Sequence, residues 1–154
     1  MKHIHFVDTP VGRIGLIGDG DALVQLLLPG ECAPGDCAQD MTPVLMEAGR
    51  QLRAYFAGEP RAFDVPLAPR GTPFQQSVWR ALVAIPYGET RTYAQIARQL
   101  DRPKSCRAVG GANHANPIPI LIPCHRVIGA SGTLTGYRGG LDMKRALLRL
   151  EGLV

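Results

Sequence analysis

The sequence lacks any apolar segment long enough to cross a membrane. No run approaches the roughly 18 consecutive apolar residues of a spanning helix. The N-terminal segment MKHIHFVDTPVGRIG also lacks the apolar core, about 7–15 residues long, of a secretory signal peptide. Aromatic residues are few, at 6%, and charged residues make up 19% of the 154 positions, whereas 45% are hydrophobic, which is typical of a globular chain. We therefore expect a soluble, cytoplasmic protein made of one compact unit or two small ones.

Cysteine is also scarce, with four residues at positions 32, 37, 106 and 124. Without a secretory signal a reducing compartment is expected, and free thiols are the default there. Cys32 and Cys37 lie in the loop sequence PGECAPGDCAQD, where a zinc ion would need two further ligands. Only His3 and His5 are near in sequence, so we expect loop cysteines and no metal.

The positive charge is concentrated in one half of the chain. Residues 1–72 contain 6 Lys/Arg and 9 Asp/Glu, a net charge of −3, whereas residues 73–154 contain 11 and 4, a net charge of +7. A basic half suggests a polyanionic partner, nucleic acid first among them, although many basic faces are merely solvated.

The first part of the chain predicts an antiparallel sheet followed by a helix. The runs HIHFVD, RIGLIG and ALVQLLL are rich in strand formers and are separated by turn sequences. Thr42 and Pro43 then predict a helix start, and Gly58 predicts its end. Residues 59–72, with three prolines and one glycine, are typical of a linker. We place the two lobes at residues 1–67 and 68–154.

The second lobe predicts mainly helices. The sequences TPFQ at residues 72–75 and TYAQ at residues 92–95 are both capping-box patterns. Pro103 is expected to open the next helix, so that two short helices form a helix-turn-helix. The last segment, GLDMKRALLRLEG, is helical with Ala146, Leu147 and Leu150 facing inward. The fold class is therefore α+β, with a mainly helical C-terminal lobe.

The segment PILIPCHRVIG, residues 119–129, places Cys124 beside His125 between prolines that prevent a regular helix. Such a cysteine is a core residue, half of a disulfide, a metal ligand or a nucleophile. Neighbouring side chains point in different directions, so direct contact between the thiol and His125 is not expected. A bridging water or a helix N-terminus would then have to activate a half-exposed, ionisable sulfur.

The residues around Cys124 narrow the choice among these four roles. The sequence NPIPILIPCHRVIGASGTLTGYRGG, preceded by RAVGGAN and IPYGETRTYAQIA, closely resembles the O6-alkylguanine-DNA alkyltransferases. The resemblance runs almost without a gap from Gly71 to Gly152 and is loose before it. It implies an RNase H-like N-terminal lobe, a winged-helix-like C-terminal lobe with the helix-turn-helix, and no cofactor.

The resemblance also implies a role for each residue of the motif. Cys124 is the alkyl acceptor, His125 its base through a water, and Glu151 the group that polarises the imidazole. Asn116 shapes the site as a hinge, and Tyr93 assists the departing guanine. The expected substrate-binding residues are Tyr137, Arg107, Gly110, Gly111 and Asn113. The implied reaction uses each molecule once, because an S-alkylcysteine lies outside reversible thiol–disulfide chemistry.

Several of these residues also have a purely structural interpretation. Arg107 is then a solvated cation, Tyr93 a core aromatic and Glu151 the partner of a nearby basic residue, while Asn116 suits an Asn-Pro turn. Asn113 and Arg138 depart from residues found in some family members, which leaves the preferred size of the alkyl group open.

The expected partner is double-stranded DNA carrying O6-alkylguanine. O4-alkylthymine is a further substrate that the sequence leaves open. We expect a monomer in solution and leave clustering on DNA open. The competing functions are a non-catalytic damage-binding protein, a regulator that senses alkylation and a cysteine hydrolase. The presence of Cys124 disfavours the first, the chain length the second and the Cys-His adjacency the third.

Overall fold

The computed structural model describes residues 1–60 and 62–154. The chain divides into two compact units, Met1–Arg70 and Gly71–Val154, each with its own internal packing. The sequence placed this boundary between residues 67 and 68. No helix among the described residues is both long and apolar enough to span a bilayer.

The first unit is built on a three-stranded antiparallel sheet in the order β1-β2-β3. Its strands are β1 (Lys2–Thr9), β2 (Gly12–Asp19) and β3 (Ala22–Leu27), as the runs of strand-forming residues predicted. Ile4 pairs with Ile17 and Val7 with Ile14. All four side chains are buried, and Ile4 and Val7 are three residues apart, so the two pairs lie on opposite faces and both faces of the sheet carry apolar residues.

Helix α1 (Pro43–Phe56) covers one of these faces, the one that carries Val7. It begins where the sequence predicted, because Thr42 accepts a hydrogen bond from the Leu45 amide and Pro43 occupies the first turn. Leu45, Ala48 and Leu52 are fully buried at helical spacing. The sheet and this one helix therefore supply the core of the first unit.

The second unit opens with three helices and a short strand between the first two. These elements are α2 (Pro73–Val83), β4 (Arg91–Thr92), α3 (Tyr93–Gln99) and α4 (Cys106–His114). Both predicted capping boxes are confirmed, at Thr72 with Gln75 and at Thr92 with Gln95. Helix α4 packs on both α2 and α3, so α3 and α4 form the predicted helix-turn-helix.

The expected start of α4 was wrong. Pro103 lies in a turn, and the helix begins three residues later at Cys106, with Ser105 as its N-terminal flanking residue. Ser105 donates its amide to the carbonyl of Arg102, so the chain turns once before the helix starts. The preference of proline for a first helical turn is only a local signal, and this turn overrides it.

The end of the chain carries the remaining elements of the second unit. A single 3-10 turn (Cys124–Arg126) leads into β5 (Val127–Ile128), and α5 (Leu141–Leu150) follows. Strand β5 pairs in parallel with β4, a pairing that the sequence did not predict. This pairing fixes the 3-10 turn beside the start of α3.

The inward face of α5 was also partly mispredicted. Leu147 is buried as expected, but Ala146 and Leu150 are only half-buried, and Lys144 and Leu148 take the buried positions. The prediction assumed that a lysine faces solvent, as most lysines do. The buried face of α5 is therefore rotated relative to the prediction, because the Lys144 ammonium donates hydrogen bonds to buried carbonyls.

Candidate active site

The loop before Cys124 is held in shape by one asparagine side chain. Asn116 donates from Nδ2 to the carbonyl of Ile122 (2.8 Å) and accepts at Oδ1 from the amide of Ile118 (2.9 Å). Ile120 within this loop has φ 75°, a conformation that costs energy for a β-branched residue. Asn116 is 1% exposed, so its two hydrogen bonds clamp a strained loop from the inside.

Replacing Asn116 with alanine is expected to lower the free energy of unfolding by about 2–6 kcal/mol. The change leaves a buried amide and a buried carbonyl without their partner, at about 1–3 kcal/mol each. Urea denaturation followed by circular dichroism measures this loss. Gln76→Ala, on helix α2, is the control. A loss below about 1 kcal/mol for Asn116→Ala would contradict the clamp.

The thiol of Cys124 lies deeper than the sequence suggested. The residue is 5% exposed, so the expectation of a half-exposed sulfur was wrong. Burial raises the pKa of the Cys124 thiol, and a hydrogen bond from Asn116 together with the charges of Arg138 and Lys144 opposes that rise. The resting side chain is therefore the neutral thiol, and it needs a base to become a nucleophile.

The next residue in the chain, His125, is the candidate base. His125 is fully buried, and its Nε2 lies 2.6 Å from Oε2 of Glu151. Burial lowers the pKa of the imidazole, while the hydrogen bond and charge of Glu151 act in the opposite direction. The imidazole is therefore neutral at rest and can accept a proton, and Glu151 is placed to stabilise the imidazolium that results.

Glu151 also binds a residue that the sequence reading did not select. Arg126 donates from Nε to Oε1 of Glu151 (2.8 Å) and from a terminal nitrogen to the carbonyl of Ile85 (2.8 Å). The amide of Gly88 donates to the same Oε1 (3.1 Å). Glu151 is therefore the partner of a basic residue, as the structural interpretation expected, and also the partner of His125, as the resemblance implied.

Lys144 is the second residue that the sequence did not indicate. It is fully buried, and its Nζ donates to the carbonyls of Val127 and Thr135, both at 2.7 Å. Burial lowers the pKa of Lys144 to about 8. Lysine at a helical position normally signals an exposed face, so no local pattern could have identified it.

Two adjacent spaces lie near Cys124, which borders the smaller one. A cavity of about 10 Å³, room for about one water, is bordered by Cys124, Tyr137 and Arg138. An open cleft of about 470 Å³ lies next to it, within the usual range of about 300–1,000 Å³ for ligand sites. Asn113 and Gly136 border both spaces, so the cleft leads towards the sulfur.

The remaining predicted residues surround these spaces. Tyr93, Arg107 and Gly110 border the cleft, and the Tyr93 hydroxyl accepts a hydrogen bond from Thr135 (3.0 Å). Tyr137 is buried in the wall of the smaller cavity. Gly111 is exposed on α4, and an added Cβ would meet no atom within 4 Å. The structure thus places Tyr93, Arg107, Gly110 and Tyr137 around these two spaces, whereas Gly111, His125 and Glu151 do not border them.

The loop that contains Cys32 and Cys37, for which no metal was expected, lies in the first unit. The Nδ1 atom of His3 contacts the carboxylate of Asp40, Cys32 is exposed and Cys37 is half-buried. Across residues 1–60 and 62–154, no group of three or more His, Cys, Asp or Glu side chains is arranged to hold a metal ion.

Comparison with known proteins gives a family for both units. Residues 73–153 match the profile of the 6-O-methylguanine DNA methyltransferase DNA-binding domain, and residues 2–69 match the ribonuclease-like domain of the same family. The chain belongs to the 6-O-methylguanine DNA methyltransferase family. The first lobe, whose sequence resembles the family only loosely, is therefore also part of the family match.

Individual members of the 6-O-methylguanine DNA methyltransferase family are similar over nearly the whole chain. A methylated-DNA–protein-cysteine methyltransferase of Methanosarcina acetivorans is 54% identical over 94% of this chain and 95% of its own. The crystal structure of Mycobacterium tuberculosis OGT in complex with DNA is 53% identical, covers 97% of this chain and 92% of its own, and has a TM-score of 0.91. An O6-methylguanine DNA methyltransferase structure from Methanococcus jannaschii is 31% identical, covers 97% of this chain and 94% of its own, and has a TM-score of 0.71.

Proposed function

We propose that this protein repairs O6-alkylguanine in double-stranded DNA by transferring the alkyl group to Cys124, once per molecule. The observation that carries the proposal is the position of the Cys124 thiol. It borders a cavity that adjoins an open cleft, and the next residue is a neutral, buried imidazole bound to a carboxylate. A soft sulfur nucleophile suits displacement at a saturated carbon, and the step needs neither metal nor cofactor.

The step conserves atoms and charge. The thiol proton passes to His125 through a water, and the thiolate attacks the alkyl carbon. An S–C bond forms as the C–O6 bond breaks, and the bonding electrons stay with the guanine. The guanine then gains a proton with help from the Tyr93 hydroxyl, while His125 releases its proton to solvent. The net result is S-alkylcysteine and unmodified guanine, and the thioether is not reversed by cellular thiols.

The lesion base must leave the duplex to reach the sulfur. Extrusion of a base costs a few kcal/mol, and we propose that Arg107 of α4 fills the space that the base leaves. Arg107 is exposed and borders the cleft, which supports this role. A glycine in a helix costs about 0.5–1 kcal/mol relative to alanine, and no internal contact requires Gly111. Its small size suits close approach of α4 to the minor groove.

The test is intact-mass analysis after incubation with a duplex oligonucleotide containing one O6-methylguanine. We expect a gain of one methyl group, mapped to Cys124 by peptide analysis, with one lesion repaired per protein molecule. Cys124→Ala should abolish the gain, and Cys32→Ala, an exposed thiol of the first unit, should retain it. Repair of several lesions per molecule, or methylation of another cysteine, would refute the proposal.

A further inference from the structure

Asn113 of helix α4 carries an acceptor atom whose purpose the packing does not explain. The residue is 4% exposed, and its Nδ2 donates to the backbone carbonyl of Cys124 (3.3 Å). Across the described residues 1–60 and 62–154, its buried Oδ1 accepts no hydrogen bond. Buried polar atoms are nearly always paired, so this oxygen points to a ligand.

The orientation of the Asn113 amide follows from chemistry as well as from its placement. The carbonyl of Cys124 can only accept a hydrogen bond, so the amide nitrogen must face it and Oδ1 must face away. Asn113 borders both the small cavity at the sulfur and the open cleft. Asn113 therefore carries an unpaired acceptor on a residue that borders both spaces next to Cys124.

The donor that fits is the exocyclic 2-amino group of guanine. Alkylation at O6 removes the proton from N1, so this amino group is the remaining donor on the pairing edge of the lesion base. O6-alkylhypoxanthine differs only by lacking it, and O4-alkylthymine has no amino group at all. A buried acceptor that stays empty with these bases would disfavour them.

We propose that Asn113 Oδ1 accepts a hydrogen bond from the 2-amino group of the flipped base and so makes the site selective for 2-aminopurine lesions. This inference rests on the proposed function, since it assumes that the lesion base binds from the open cleft and brings its alkyl carbon to Cys124. It also answers a question left open by the sequence: O4-alkylthymine is repaired more slowly than O6-alkylguanine.

The experiment compares two lesions in otherwise identical duplexes, O6-methylguanine and O6-methylhypoxanthine. Single-turnover rate constants for methyl transfer are measured for the unmodified protein, for Asn113→Leu and for Asn113→Ala. We expect the unmodified protein to prefer O6-methylguanine by about tenfold, the scale of one hydrogen bond. In both variants the preference should fall to nearly one. Differences in duplex stability between the lesions cancel when the preferences are compared across proteins.

Glu151→Gln is the control for a variant whose only defect is a lower rate. It should slow methyl transfer from both lesions equally and keep the preference between them. If the unmodified protein repairs the two lesions at nearly equal rates, the proposal is overturned without any variant. It is also overturned if an Asn113 variant that folds keeps the preference for O6-methylguanine. If the unmodified protein leaves O6-methylguanine unrepaired, the proposed function fails as well. Repair with a preference unaffected at Asn113 overturns only the present inference.

Discussion

Glu151→Gln is expected to slow methyl transfer by about 100-fold or more and to lower the free energy of unfolding by about 3–5 kcal/mol. The carboxylate lies 2.6 Å from His125 Nε2, where it would stabilise the imidazolium formed when the thiol loses its proton. A neutral amide cannot do this, and general-base catalysis is worth about 10²–10⁴-fold. The change also leaves the buried Arg126 guanidinium without its counter-ion, which accounts for the loss of stability.

A double variant separates the two roles of Glu151. Arg126→Met in the Glu151→Gln background removes the uncompensated cation, so much of the lost stability should return. The rate should stay low, because His125 still lacks a carboxylate. Thermal unfolding and single-turnover methyl transfer measure the two quantities independently. Recovery of the rate together with the stability would mean that Glu151 is only the counter-ion of Arg126.

Local sequence patterns were sufficient for most of the fold. The strands β1, β2 and β3 follow from runs of strand-forming residues separated by turn residues. Helices α1, α2 and α3 follow from threonine caps with proline or glutamine at fixed offsets. Each of these signals lies within a few residues of the element it defines. The start of α4 failed because Pro103 is compatible with both a helix start and a turn, and only the turn made by Arg102 and Ser105 decides between them.

Local patterns alone indicated only Cys124 and His125, and the more distant site residues, from Tyr93 to Glu151, were named through the family resemblance. Cys124 and His125 are adjacent in a distinctive motif, whereas Lys144 and the parallel pairing of β4 with β5 depend on contacts between distant segments. The burial of Cys124 was missed for the same reason. No local pattern shows that Asn116 and the loop it clamps enclose the sulfur.

Arg107→Ala is expected to slow repair of O6-methylguanine in duplex DNA by about 30–100-fold, while reaction with the free base O6-methylguanine changes by less than about twofold. The guanidinium is exposed and borders the cleft beside Tyr93, where it can enter the stack as the lesion leaves. Without it, the few kcal/mol required for extrusion are no longer offset. The free base needs no extrusion, and its reaction depends only on the cavity, the thiol and His125.

Arg98→Ala is the matched control, because it removes one exposed positive charge from the neighbouring helix α3. Loss of a phosphate contact lowers affinity and reduces the slope of log K against log salt by about 0.9, whichever arginine makes that contact. Single-turnover rates at saturating protein remove this affinity term, so a remaining loss specific to Arg107 reports extrusion. Equal losses for the two variants, or equal losses on duplex and free base, would make Arg107 an ordinary solvated cation. The excess positive charge of residues 73–154 would then act only through contacts with DNA phosphates.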